Sequence, residues 1–220
     1  MFEISLSGFL FLFIIITLII SEKFGYSVIS DLDSDTKLKE INKDPKKFKI
    51  GTLLAFIEHG TIIALAITLF LAFNSFNMTL AVIWTISRIT EGLIDVYNGK
   101  NYWRLLNIAR QYSVSSGDEK KSIIELGRSI LKTKNRVLAC AQILFSIGTL
   151  SYSILFATSE TLPIPALIGW FGIVVSILYG FANGIIIVKP DKAKKFFVVG
   201  LLILAFELIL GGWLLISPLL

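Results

Sequence analysis

The chain has 220 residues, 55% of them hydrophobic, and a formal net charge of +5. That hydrophobic share exceeds the roughly 45–50% usual in soluble domains, and it falls in runs of about 20 residues, which excludes an ordinary soluble fold. The basic residues lie between these runs without a nucleic-acid recognition motif, so no nucleic-acid partner is predicted. Because Cys140 is the only cysteine, an intrachain disulfide and a paired-cysteine metal site are excluded too.

Six apolar stretches are long enough for a helix to cross about 30 Å of hydrocarbon. The first has a single charge, Glu3, before Phe9 and no small-residue cleavage site after Ile20, so we expect a retained helix and not a signal peptide. The sequence predicts one all-α transmembrane domain over residues 1–220, a bundle of six spans embedded in a lipid bilayer. In chain order the spans cover about residues 5–21, 50–73, 76–97, 136–158, 164–187 and 196–218.

The distribution of positive charge predicts the orientation. Twenty of the 21 lysine and arginine residues fall in the first, third and fifth connectors, and the remaining one, Arg88, lies inside the third span. Because positively charged loops stay in the cytoplasm, we expect a cell-membrane protein with both termini outside and the charged connectors inside. These basic loops are then expected to contact anionic headgroups of the inner leaflet.

The third connector carries a basic amphipathic segment. Ile123, Ile124, Ile130 and Leu131 recur there at helical spacing, with lysine and arginine residues between them. The pattern predicts an amphipathic cytoplasmic helix between the third and fourth spans that lies on the inner leaflet, with docking to a partner as the alternative. The first connector is predicted to be only a solvated or headgroup-facing segment.

The fifth span carries a stripe of small side chains at every fourth position. Such a stripe lets two helices approach closely in lipid, where the hydrophobic effect does little to drive association. We expect it to pack inside the bundle, with a homo-oligomer or a membrane partner as the alternative. The stripe consists of Gly172, Ser176, Gly180 and Gly184.

Polar and ionisable side chains inside the spans form the candidate functional site. A charge near the bilayer centre costs at least about 2.5–3.5 kcal/mol on insertion scales, so these groups should face the bundle interior. Because Arg88 is the only strong cation among the spans, the surplus of acids calls for protons, a protonated histidine or a bound cation. The cluster comprises Glu58 and His59 in the second span, Arg88, Glu91 and Asp95 on one side of the third, Gln142 in the fourth, Asn183 in the fifth and Glu207 in the sixth.

Three functions remain open at this point. The cluster favours movement or sensing of a small polar solute, a proton or a cation; the alternative is a structural or accessory membrane subunit, and the third is an intramembrane enzyme acting on lipid. Catalysis is disfavoured, because a single histidine leaves a typical zinc site short of ligands and no nucleophile–base constellation is present. No cofactor is indicated, and the sequence leaves a bound metal ion undecided.

Several motifs in a fixed order resemble one known family. The resemblance runs from about Asp44 to the end of the chain and is to an uncharacterised multi-pass membrane family, the domain of unknown function 4386. It implies a multi-helix membrane fold and no particular reaction. The motifs are "DPKKFKIGTLLAFIEH", "ISRITEGL", "NYWRLLNIARQYS", "AQILFSIGTLSYSILF", "IGWFGIVVSILYG" and "FELILGGWLL".

Overall fold

The computed structural model describes residues 1–162, 164–189 and 196–217. Pro163, Lys192, Lys194 and Lys195 of the predicted connectors and Pro218 at the predicted end of the sixth span lie outside these residues. Within the described ranges the regular structure is entirely helical. The helices are α1 (Phe2–Lys23), α2 (Ser34–Lys43), α3 (Pro45–Phe73), α4 (Met78–Val114), α5 (Gly117–Thr158), α6 (Ala166–Val188) and α7 (Phe197–Ile216).

Five of these helices are long and apolar enough to cross a membrane, which marks the chain as a helical membrane protein. They are α1, α3, α5, α6 and α7, and they coincide with the first, second, fourth, fifth and sixth predicted spans. The third predicted span is the first part of α4, which forms as a helix but carries Arg88, Glu91 and Asp95 on its buried face.

The six long helices form a closed ring. Each packs against two neighbours, in the order α1, α3, α4, α5, α6, α7 and back to α1. The ring closes through a glycine contact: a Cβ added to Gly8 of α1 would lie 2.6 Å from the backbone oxygen of Gly211 in α7. Since real Cβ atoms do not approach that closely, a side chain at position 8 would force the first and last helices apart.

Two helices extend far beyond the predicted spans. α4 has 37 residues and α5 has 42, or about 55 and 63 Å at 1.5 Å per residue. Ser115 and Ser116 alone join them, and Gly117 provides the positive φ of 58° that the sharp turn requires. The predicted separate amphipathic helix is therefore the beginning of α5, continuous with the fourth span.

The extensions of α4 and α5 pack against the short helix α2. Ile123, Ile130 and Leu131 of α5 are buried in one apolar cluster with Leu38 and Ile41 of α2. Contrary to the prediction, this apolar face is covered by the protein itself and is not free to lie on a leaflet.

The first connector likewise folds instead of remaining a plain solvated segment. Asp33 caps the start of α2 by accepting a hydrogen bond from the Thr36 amide at 3.2 Å. The Tyr112 hydroxyl then donates to Asp35 at 2.7 Å, which attaches α2 to α4.

The interior of the ring is layered. We call the end that carries the α4–α5 turn the basic end, and the end that carries residues 74–77 the opposite end. Towards the opposite end the ring is filled by aromatic side chains around Tyr152, whose ring stacks on Phe206 at 6.3 Å and meets the edge of Trp84 at 6.5 Å. This aromatic layer consists of the buried Phe11, Phe73, Trp84, Tyr152, Phe156 and Phe206.

Candidate functional site

The structure brings six of the predicted polar residues into the interior of the ring, just below the aromatic layer. Arg88 lies 10 residues, about 15 Å, from the start of α4, one turn beyond Trp84 of the aromatic layer. All six side chains are at most 8% exposed. This charged cluster consists of Glu58, His59, Arg88, Glu91, Asp95 and Glu207.

Arg88 is held from three directions. Its Nη1 lies 2.8 Å from Oε2 of Glu91, in an ion pair that is fully buried. Its guanidinium lies over the ring of Phe145, 4.4 Å from the centroid, a favourable arrangement for a desolvated cation. Gly148 makes room for the stem, because an added Cβ there would lie 2.8 Å from Cγ of Arg88.

Carboxylates from three helices act on one another across the ring. Glu207 of α7 interacts electrostatically with Arg88 of α4. Glu58 of α3 interacts with Asp95, with Glu207 and with Arg88. The cluster is thus one electrostatic unit and not a set of separate pairs.

The cluster is incompletely hydrogen-bonded by the protein. Even the Arg88–Glu91 ion pair lacks hydrogen-bond geometry. Buried polar atoms almost always have partners, so each exception calls for a proton, a water molecule or a ligand. Within the described residues, the buried atoms without a hydrogen-bond partner include Oε2 of Glu58, Nδ1 of His59, Nη1 of Arg88, Oε2 of Glu91 and Oδ1 of Asp95.

Gln142 and Asn183, also predicted for the site, are not joined to the charged cluster by hydrogen bonds among the described residues. Gln142 is half-buried, and Asn183 uses its amide to donate to the carbonyl of Tyr179 in its own helix at 2.9 Å. In the part of the chain that the structure describes, neither side chain hydrogen-bonds to the charged cluster.

Lys134 is a second buried cation, which the sequence reasoning missed. The residue is 1% exposed and interacts electrostatically with Asp95 and with His59. Arg88 is therefore not the only basic side chain near the acids, whereas the sequence suggested that it stands alone among them. The sequence pattern indicated its burial, because Lys134 follows Ile130 by four residues and precedes Leu138 by four, on the buried face of α5.

Lys134 holds the segment between α1 and α2 at the basic end of the ring, next to the charged cluster. Its Nζ donates to the carbonyl oxygens of Ser27 and Val28. The same ammonium lies over the rings of Tyr26 and Tyr102, at 5.2 and 4.7 Å from their centroids. Residues 24–30 therefore close the basic end of the ring below the acids.

Neighbouring side chains strengthen this closure. The Tyr102 hydroxyl is 2.6 Å from Oγ of Ser30. Asn135 binds the backbone of Ser30 through both amide atoms, at 3.0 and 2.8 Å. Asn98, one turn beyond Asp95 on α4, donates to the carbonyl of Lys134 at 3.0 Å.

The small-residue stripe of α6 faces α5, and at Gly172 it also faces α7. A Cβ on Gly172 would lie 2.6 Å from the ring of Phe206, and one on Gly180 would lie 3.2 Å from Cβ of Ser146. Ser176 is buried. For Gly184, at the end of the stripe, no atom of the described residues lies within 4 Å of an added Cβ.

The arrangement of ligand types favours proton chemistry over metal binding. Over the described residues, no three histidine, cysteine, aspartate or glutamate side chains come together in a way that could hold a metal ion. Four acids beside two cations, with unmatched polar atoms, instead provide sites for exchangeable protons.

A closed ring of apolar helices around buried charged groups defines an integral membrane protein with a polar interior. The chain belongs to the family described as domain of unknown function (DUF4386), whose model matches residues 6–217. The resemblance that the motifs indicated is thereby confirmed, and it extends to nearly the whole chain. No curated protein and no solved structure is detectably similar.

Proposed function

We propose that this protein moves or senses protons through the charged cluster. The observation that carries the proposal is that buried polar atoms of Glu58, His59 and Asp95, beside the Arg88–Glu91 ion pair, have no hydrogen-bond partner among the described residues. A purely structural network gains stability by satisfying its buried groups. A network that binds and releases protons must keep acceptors available.

The layers of the ring fit a pathway that is closed on both sides. The aromatic layer around Tyr152 separates the acids from the opposite end, and Lys134 with residues 24–30 separates them from the basic end. Lys134 interacts electrostatically with both Asp95 and Glu58, so it lies next to the acids on the side of the basic end. Protons would then enter or leave past Lys134 when residues 24–30 release it.

The membrane topology is part of the same proposal: we propose that α4 is a sixth span, in a cell membrane, with both termini outside and the basic end in the cytoplasm. The closed ring supports this, because α4 packs between α3 and α5 and has the charged cluster on its buried face. The retention of positive loops in the cytoplasm supports the orientation.

Infrared spectroscopy and proton flux together test the proposal. We expect the purified protein at neutral pH to show the C=O stretching band of protonated carboxylic acids, and Glu58→Gln and Glu207→Gln to reduce it. In liposomes with a pH-sensitive dye inside and an imposed potassium diffusion potential, wild type should carry protons and Glu207→Gln should not. Glu160→Gln, at an exposed position outside the helices, is the matched control.

Each outcome assigns a role. A carboxylic acid band without proton flux indicates sensing, and both together indicate transport. If the band is absent, or if Glu207→Gln misassembles as badly as Arg88→Ala, the network is structural and the proposal is wrong. Size-exclusion profiles and circular dichroism of each variant measure assembly separately from activity.

A further inference from the structure

A cleft at the basic end is lined by four lysines and three acids above an apolar floor. It lies where α1 ends, α2 ends and α3 begins, and its volume is about 500 Å³. We propose that it binds the headgroup of an anionic phospholipid. Its charged lining consists of Glu22, Lys23, Lys37, Glu40, Lys43, Asp44 and Lys47, and its remaining lining of Phe24, Gly25, Ile41 and Phe48.

The floor of the cleft is fixed. Ile41 and Phe48 are 2% and 3% exposed, so the base is apolar and rigid. The Lys37 ammonium donates to the carbonyl of Gly25 at 2.9 Å and lies over the ring of Phe48, 5.8 Å from its centroid. Burial lowers the pKa of Lys37, while Glu40 favours its charged form.

The rim of the cleft carries unpaired positive charge. Two of its three acids are engaged, because Asp44 accepts a hydrogen bond from the Lys47 amide at 2.9 Å and Glu40 lies 3.8 Å from Lys37. Lys23, Lys43 and Lys47 have no carboxylate oxygen within 4.0 Å among the described residues. These three ammonium groups therefore remain available to a phosphate.

The position of the cleft identifies a lipid as the source of that phosphate. α1 and α3 are both candidate spans, and the cleft lies at their polar ends, at headgroup depth. Next to it along the same helices, Ile20, Ile50 and Leu53 are exposed apolar side chains. An acyl chain can run along them while the headgroup occupies the cleft, and lysines at this depth each add to binding of anionic lipid.

The test compares two variants that remove equal charge. One carries Lys23→Gln, Lys43→Gln and Lys47→Gln; its control carries Lys46→Gln, Lys49→Gln and Lys132→Gln, which are exposed positions outside the cleft. Retention of phosphatidylglycerol is measured by native mass spectrometry of the full-length protein. We expect the cleft variant to retain it at least about tenfold more weakly than wild type, and the control to stay within about twofold.

A second arm identifies the source of the anion. Phosphatidylglycerol in phosphatidylcholine nanodiscs should raise the unfolding temperature of wild type, whereas glycerol phosphate in solution should not. Equal losses of phosphatidylglycerol retention in the two variants would overturn the proposal, since binding would then follow net charge alone. An equal rise in the unfolding temperature with glycerol phosphate would overturn it too. The proposal does not depend on proton movement, because the cleft variant leaves the charged cluster intact and should keep the carboxylic acid band.

Discussion

The two buried cations stabilise different parts of the molecule. Arg88 forms an ion pair within α4 and contacts α5 through Phe145. Lys134 instead reaches from α5 to the backbone of Ser27 and Val28, more than 100 residues away in sequence. A buried ammonium with several acceptors is expensive to replace, since its removal leaves the carbonyl oxygens without donors.

Replacing Lys134 should therefore loosen the segment that it binds. We expect Lys134→Met to lower the free energy of unfolding by about 1–3 kcal/mol and to accelerate amide hydrogen exchange in residues 24–30. Lys132→Met, an exposed position two residues earlier, is the control. Equal protection of residues 24–30 in the two variants would show that Lys134 does not hold the segment closed.

The sequence indicated most of the charged cluster but not this lysine. Glu58, Glu91 and Glu207 stand out because an ionisable side chain inside an apolar run is costly in lipid and therefore faces the bundle interior. Lys134 lies in a connector where the other basic residues are solvated, and its burial depends on a segment 100 residues earlier folding over it. The sequence pattern around Lys134 cannot specify such a distant contact, although its helical spacing from Ile130 places it on the buried face of α5.

At the scale of helices, the α5–α6 contact depends on position along the small-residue stripe. Gly172 sits where a Cβ would meet Ser153 and Phe206, whereas an added Cβ on Gly184 has no atom within 4 Å in the described part of the chain. The same residue type at two positions of one helix therefore has different structural consequences.

This difference is measurable with one substitution at two positions. We expect Gly172→Leu to lower the free energy of unfolding by about 1–3 kcal/mol through overpacking, and Gly184→Leu to leave it within about 0.5 kcal/mol. Denaturation of the purified protein by dodecyl sulfate measures both. A lower free energy of unfolding in Gly184→Leu alone would instead indicate that this end of the stripe contacts another chain.

Apolar length predicted the positions of the long helices, but not the extensions of α4 and α5. Tyr102, Leu105, Ile108 and Tyr112 recur at helical spacing after the third predicted span, yet the charges among them suggested a loop. Their burial against α2 is what stabilises the extension. The small helix α2 was missed because it packs mainly against α4 and α5, which lie far later in the sequence.

At the scale of the whole molecule, the proposed topology rests on whether α4 crosses the membrane. Cysteine labelling decides this in a Cys140→Ser background, which is needed because Cys140 is exposed. If α4 is a span, an impermeant maleimide should label Ser75→Cys and Glu160→Cys in intact cells, and Asp118→Cys only after permeabilisation. Labelling of both Ser75→Cys and Asp118→Cys in intact cells would exclude α4 as a span.

The uninterrupted length of α4 and α5 has a mechanical consequence. Between Glu91 and Val114, α4 contains no proline, and its two glycines are packed, Gly92 against Ile63 and Gly99 against the ring of Phe56. No hinge therefore separates the projecting tip at Ser115 from the ion pair of Arg88 and Glu91. A displacement of the turn at Ser115 and Ser116 would therefore be transmitted along an uninterrupted helix to the acids inside the ring.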